Sequence, residues 1–200
     1  CGNGFRCIAL YAYQVLKYSS RMTFESGSGL IEAEVGPKDI VKVQLIKPKI
    51  FEKAGELVVQ KAPLQFMFLD TGVPHVVIFT DELEKVHVAE VGRLVRNHAH
   101  FQPFGTNVNF VEVTGKKDIS VRTYERGVED ETLACGTGSV ASALVASARN
   151  LVESPVAVTV QSGEVLTIFF EKTKAGFAEI YLEGKTKVVY EGNLWEEAYR

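Results

Sequence analysis

The 200 residues are 46% hydrophobic and 24% charged with a net charge of -3, which is enough apolar chain for one large core or two small ones under an ordinary soluble surface. That balance excludes a basic nucleic-acid or anionic-membrane binder, and the longest apolar runs, such as Val76–Phe79, are far too short to span a bilayer. Three cysteines make no disulfide framework; they suit a reducing compartment, so a cytoplasmic location is expected.

The chain opens CGNGFRC, Cys1 to Cys7, and runs into a helix in which Phe5, Ile8, Ala9, Ala12, Val15 and Leu16 recur at helical spacing. Cys7 falls on the apolar face with Ile8, Tyr11 and Val15 and reads as a buried packing thiol. Arg6 reads either as a helix-surface charge or as a structural ion pair beneath the motif. TFESGSGLIEAEV, Thr23 to Val35, alternates on both sides of a Ser-Gly turn and predicts a hairpin. The middle of the chain predicts a strand at Leu64–Leu69, a turn at DTGVPH, a strand at Val76–Thr80, a helix around Val86–His98, and strands at Val108–Val113 and Ile119–Tyr124. His87, His98 and His100 read as surface residues. Asn107, taken alone, is a turn residue ahead of a strand. Glu129, Asp130 and Glu131 read as a solvated loop; no His or Cys stands at ligand spacing, so no metal site is expected. ACGTGSVASA, Ala134 to Ala143, then leads a second helix carrying Val140, Ala141, Leu144, Val145 and Ala148. TVQSGEVLTIFF, Thr159 to Phe170, predicts a second hairpin. Trp195, near the end, is expected to pack at a domain or dimer surface.

Two stretches of this series repeat. Cys1-Gly2-Asn3-Gly4 returns 134 residues on as Cys135-Gly136-Thr137-Gly138, and Ser26-Gly27 returns 136 residues on as Ser162-Gly163. The repeated unit is Cys-Gly-x-Gly, helix, hairpin. Both helices are rich in Ala and Ser with few charges and are expected to be buried nearly all round. The second copy has a long run of strands ahead of its cysteine and the first has none. A complete duplication would need roughly 70–85 further residues upstream, so a longer protein is expected. A lipid-modified N-terminal Cys is the rival account of the start, and it fits less well because a helix pattern follows at once.

A helix N-terminus leaves N–H groups unpaired and carries partial positive charge. A cysteine placed there has its thiolate favoured, at a pKa of roughly 3.5–7.5 against about 8.5 when free. The glycines let bare backbone approach an anion. One such site reads as a nucleophile or redox thiol. Two related by a pseudo-two-fold read as a facing thiolate and thiol, able to invert a carbon acid by taking a proton from one face and returning one to the other. A tight strand-to-helix turn is the bland alternative. No phosphate loop, dinucleotide fingerprint or Schiff-base motif is present, in keeping with chemistry that uses no cofactor.

In these motifs the sequence resembles the diaminopimelate epimerase family. The resemblance rests on CGNGFRC, GVPH at Gly72–His75, GTNVNF at Gly105–Phe110, YERGVEDETLACGTG at Tyr124–Gly138 and KVVYEGNL at Lys187–Leu194, in family order from the first residue nearly to the last. It implies conversion of LL-2,6-diaminopimelate to the meso form, in lysine and peptidoglycan synthesis, without pyridoxal phosphate. It implies Cys1 and Cys135 as the paired acid and base, with His75 and Glu125 beside them to tune or orient the thiols. Gly2, Asn3, Gly136 and Thr137 are implied as substrate-holding residues, and Asn107, Glu125 and Arg126 as readers of its charged groups, Arg126 for a carboxylate and Glu125 for an ammonium. The chain departs from the family at Val73, where Asn is common, and in lacking the segment that leads to the first cysteine. Proline racemases are similar but carry His where Asn3 stands, and phenazine-type isomerases lack the cysteine pair. A thiol-redox or ligand-binding protein with a switchable disulfide is the alternative of another class.

The expected fold is α+β, with two pseudo-symmetric domains, each a curved, mostly antiparallel sheet or barrel around a buried central helix. Residues 1–48 with 189–200 are expected to belong to the first domain, a last strand after Val188 returning to it, and residues 49–188 to form the second. A small-molecule substrate between the halves, a homodimer by the resemblance, and no nucleic-acid or membrane partner complete the expectations.

Overall fold

Strand and helix follow one another as the periodicities dictate. The computed structural model describes the chain apart from residues 1, 28, 49, 52, 53 and 200 and the side chains of residues 50, 51 and 199. Helix α1 (Gly2–Gln14) is followed by the hairpin β1 (Arg21–Ser26) and β2 (Gly29–Val35) and by β3 (Ile40–Gln44). Then come β4 (Ile50–Phe51), β5 (Gly55–Val59), β6 (Ala62–Asp70), β7 (Pro74–Phe79), helix α2 (Val88–Arg96), β8 (Asn107–Val113), β9 (Asp118–Glu125) and β10 (Asp130–Thr132). Helix α3 (Gly136–Ala148) leads into β11 (Val156–Val160), β12 (Val165–Thr173) and β13 (Gly176–Lys185).

Nearly all of these strands join one curved sheet in the order β1-β2-β3-β13-β12-β11-β9-β8-β7-β6-β4, with β10 on β9 and β5 on β6. Neighbours are antiparallel except β7 with β8 and β9 with β11. Each parallel pair is bridged by a helix, α2 for the first and α3 for the second, as a parallel pair requires. The two helices lie on opposite faces. Val77, Val111, Ile119 and Val121 share a core with α3, while Val76, Ile78, Val108, Phe110 and Tyr124 share one with Val88 and Val95 of α2. Strands covered on both sides read as continuous apolar runs, which is why β7 and β8 are buried along almost their whole length.

The repeat read from sequence has a structural counterpart, α1–β1–β2–β3 matching α3–β11–β12–β13. The corresponding strands β3 and β13 pair antiparallel, Val43 opposite Leu182 and Val41 opposite Gly184. A two-fold relation between the units demands that arrangement.

α3 is buried along nearly its whole length, with Gly136 and every residue from Gly138 to Ser147 shielded from solvent. Its small residues let strands β6 to β9 and β11 to β13 close around it. It ends with Asn150 in the left-handed region (φ 59°), and the N–H of Leu151 returns to the carbonyl of Ala146 at 3.0 Å. α1 departs from expectation. It buries Gly2, Arg6, Ala9, Leu10 and Ala12 against β2, β3 and α3, but Ile8, Tyr11, Val15 and Leu16 are about half exposed and Cys7 is exposed. The reason is geometric: among the described residues the sheet passes on one side of α1 only. Two further corrections follow. Residues 187–195 form no strand, so the strand that joins the first unit is β13. The acidic run is a solvated loop only in part: Glu129 lies in the exposed turn ahead of β10 and takes Arg96 at 3.0 Å, while Asp130 and Glu131 enter β10 and Glu131 takes both Nε and Nη2 of Arg122 at 2.7 and 2.9 Å.

Candidate active site

The two Cys-Gly-x-Gly turns converge. Cys1 lies outside the described residues; the turn that follows it begins α1 at Gly2, and the other begins α3 at Gly136. Leu182 of β13 touches both: a methyl added to Gly2 would lie 3.8 Å from its Cδ1, and one added to Gly136 would lie 3.2 Å from it and 3.3 Å from Asn3 Oδ1. Gly2 and Thr137 line one small cavity of about 140 Å³, together with Thr71, Gly72 and Val73 of the DTGVPH turn. The pairing of β3 with β13 thus brings residues far apart in sequence to one point.

Cys135 is the N-cap of α3, in extended backbone (φ -119°, ψ 107°), and only 8% exposed. Its Sγ lies 3.6 Å from Thr137 Oγ1. Burial pushes the Cys135 thiol up, and the carboxylate of Glu125 adds to that. The Thr137 hydroxyl and the N–H groups of Gly138 and Thr137 act in the opposite direction and are outweighed. The helix N-terminus therefore turns its amides toward the sulfur itself. Gly138 is required by space: a methyl there would meet Asn109 Oδ1 at 2.3 Å and Cys135 Sγ at 3.3 Å.

Alternation along the sheet sorts the remaining residues. His75 shares a face with Val77, Asn107 and Asn109 with Val111, and Thr123 and Glu125 with Val121, and that face looks toward α3. His75 is fully buried. Its imidazole is pushed down to about 3, first by burial and then by the charge of Arg126, so it is neutral at ordinary pH. Asn107 is a clamp as well as a candidate ligand: its Nδ2 donates to the Pro74 carbonyl at 3.0 Å and its Oδ1 accepts the Arg126 N–H at 2.8 Å. The Arg126 guanidinium donates to the Phe104 carbonyl at 2.9 Å. It lines a separate cavity of about 430 Å³ with Asp70, Pro74 and Phe104. Asn3 accepts from Arg6 Nη2 at 3.0 Å. Arg6 is buried and lies 3.9 Å from Glu164, so of its two readings the ion pair beneath the motif is the one observed.

Three polar residues escaped the sequence reading. Asn109 and Thr123 are buried in the α3-facing layer, and Thr71 has a buried hydroxyl without a partner among the described residues. The signal for Asn109 was present: in NVNFVEV it stands two residues before Val111, on the core-facing side, where a polar side chain needs a reason.

The fold is that of the racemase and epimerase class with two matched halves. The chain superposes on a hydroxyproline epimerase from Agrobacterium vitis with a TM-score of 0.70 at 15% identity, over 90% of this chain and 63% of that one. It superposes on a phenazine biosynthesis protein of Bacillus anthracis with a TM-score of 0.66 at 15% identity, over 92% of this chain and 72% of that one. Sequence narrows the class. The family model described as diaminopimelate epimerase matches residues 67–189. The diaminopimelate epimerase of Aquifex aeolicus is 47% identical over 98% of this chain and 70% of its own length, and that of Hydrogenobaculum sp. is 43% identical over 100% and 71%. The chain belongs to the diaminopimelate epimerase family, a family of isomerases.

Proposed function

We propose that this protein inverts one α-carbon of 2,6-diaminopimelate, turning the LL form into the meso form by a two-thiol mechanism. The observation that carries the reading is the meeting of the two Cys-Gly-x-Gly helix starts at Leu182, with Gly2 and Thr137 in one cavity. The family adds the substrate. Cys135, kept protonated by burial and by Glu125, is the resting proton donor, and Cys1, the residue before Gly2, is its thiolate partner. The thiolate removes the α-hydrogen as a proton. The electron pair stays on the carbon and is delocalised into the adjacent carboxylate. The thiol delivers its proton to the opposite face. The sulfurs have then exchanged protonation states, the carbon is inverted, and no electron has been gained or lost.

Gly2, Asn3, Gly136 and Thr137 hold the reacting end of the substrate in this reading. Asn107, Glu125 and Arg126 hold its charged groups, with Glu125 also acting on Cys135. The Thr71 hydroxyl, in the same turn as Val73, supplies the polar contact that valine cannot make. A homodimeric enzyme of the cytoplasm is the setting this reading assumes. The test is incubation with LL-diaminopimelate in deuterated water under reducing conditions. The expected result is meso product carrying deuterium at the inverted carbon, lost in Cys135→Ala. Absence of exchange, or exchange that survives Cys135→Ala unchanged, overturns the mechanism, and proline as the preferred substrate overturns the specificity.

A further inference from the structure

Asn109 lies at the centre of a buried hydrogen-bond chain with one consistent set of directions. Its Nδ2 lies 2.8 Å from the carbonyl of Val76 and 3.2 Å from Nδ1 of His75. A backbone carbonyl only accepts, so the atom facing it is the amide nitrogen. At the other end, the Thr123 hydroxyl donates to Asn109 Oδ1 at 3.0 Å, which holds the amide in that orientation. The second N–H of Nδ2 therefore points at His75 Nδ1, which must be a lone pair. The ring proton is left on Nε2. That nitrogen is buried and has no partner among the described residues. An unused buried donor costs about 1–3 kcal/mol, and a catalytic role is one of the reasons for which a fold keeps such a group.

We propose that Asn109 is a positioning residue that fixes His75 as the Nε2–H tautomer, so that His75 serves the site as a neutral hydrogen-bond donor and not as a base. The inference deepens the proposed epimerase reading, yet its central claim concerns the imidazole and needs no substrate. Asn109 does not touch the reacting carbon; it acts through His75. Its Oδ1 also occupies the space where a side chain at position 138 would lie, so the start of α3 is fitted to the same amide.

Two-bond ¹H–¹⁵N correlation on the ¹⁵N-histidine-labelled protein reads the tautomer directly. Of the four histidines, the one whose signal is missing in His75→Gln is expected to be neutral with its proton on Nε2 from pH 8 down to pH 5. Asn109→Asp replaces the donor by a group that only accepts. It is expected to move the ring proton to Nδ1 or to produce imidazolium, and to lower kcat on the order of 10²-fold with a smaller change in KM. Thr123→Val, which frees the amide to turn, is expected to give a mixture of tautomers. A proton on Nδ1 in the unaltered protein, titration of His75 near pH 6.5, or an unchanged tautomer in Asn109→Asp would each overturn the proposal. The wild-type spectrum decides even if a variant fails to fold. An Nε2–H imidazole in a protein without epimerase activity sinks the functional reading and leaves this one standing; an active enzyme with an Nδ1–H imidazole does the reverse.

Discussion

Helices α1 and α3 have the same length and the same opening, but different surroundings. A step of 134 residues pairs Leu10 with Leu144 and Ala9 with Ala143, and all four are buried. The same step pairs Tyr11, 53% exposed, with Val145, 0% exposed, and Ile8, 51% exposed, with Ser142, 0% exposed. The inner faces of the two units are built alike and the outer faces are not. Closure of a sheet around a helix leaves room for Ser, Ala and Val and none for Tyr. Side-chain size on the outer face therefore reports enclosure better than the apolar period does, because the period is the same in both.

Substitution at the paired positions breaks or sharpens this contrast most strongly. Val145→Ser places a hydroxyl and a void in a closed core and is expected to cost about 3 kcal/mol in urea unfolding. Tyr11→Ser, on the open face, is expected to cost less than about 1 kcal/mol. Equal losses would mean that α1 is enclosed as fully as α3.

His75 gives the next largest effect, and it belongs to the second unit alone. Its folded-state value of about 3 lies below the ordinary 6.5. Below pH 6.5 the unfolded chain therefore binds a proton that the folded chain refuses. Stability contributed by this site is complete above pH 6.5 and falls as the pH drops toward 3, by about 3 kcal/mol at pH 4. His75→Gln removes the dependence, so the variant is expected to lose less stability than the parent between pH 7 and pH 4. Parallel losses in the two proteins would show that His75 takes up its proton without unfolding.

The contrast also marks what the sequence made legible. Both helices, both hairpins and strands β6 to β9 follow from periodicity, and Cys135, Gly136 and Thr137 stand out because their motif occurs twice. What covers a helix face is a tertiary matter, so Cys7 and Tyr11 were assigned to a core that does not enclose them. Glu131 looked solvated because Arg122, its partner, lies on the neighbouring strand. Strand β13 was legible in principle: Ile180, Leu182 and Gly184 alternate inward. Glycine as the third inward residue hid the pattern, and Gly184 is glycine for a reason outside its strand.

That reason is Arg6. Where α3 has Val140, α1 has a buried arginine that reaches into the second unit, toward Glu164 at 3.9 Å and the Lys185 carbonyl at 3.4 Å. A methyl on Gly184 would lie 2.1 Å from Arg6 Nη1 and 2.7 Å from Leu166 Cδ2. Gly184→Ala is therefore expected to cost about 1–3 kcal/mol. By moving the guanidinium off Asn3 it should also raise KM more than it lowers kcat. A thermal melt unchanged from the parent would show that Arg6 has another place to go and that the two units are not fastened by it.

The smallest effect on stability is expected at Thr71, and its sign is the informative part. The Thr71 hydroxyl is buried without a partner among the described residues, in the cavity that both helix starts share. A hydroxyl that held the fold together would have its hydrogen bond already, and Thr71→Val would then lower stability by about 1 kcal/mol or more. A hydroxyl kept for the ligand is a small burden on the empty protein, so the isosteric valine is expected to leave the melting temperature unchanged or to raise it slightly. Removal of a contact made equally to substrate and transition state raises KM and leaves kcat alone. The expected kinetic result is thus a KM increase of about tenfold with kcat within twofold. A stability loss with unaltered KM would return Thr71 to the structural side and leave the missing polar group at Val73 unreplaced.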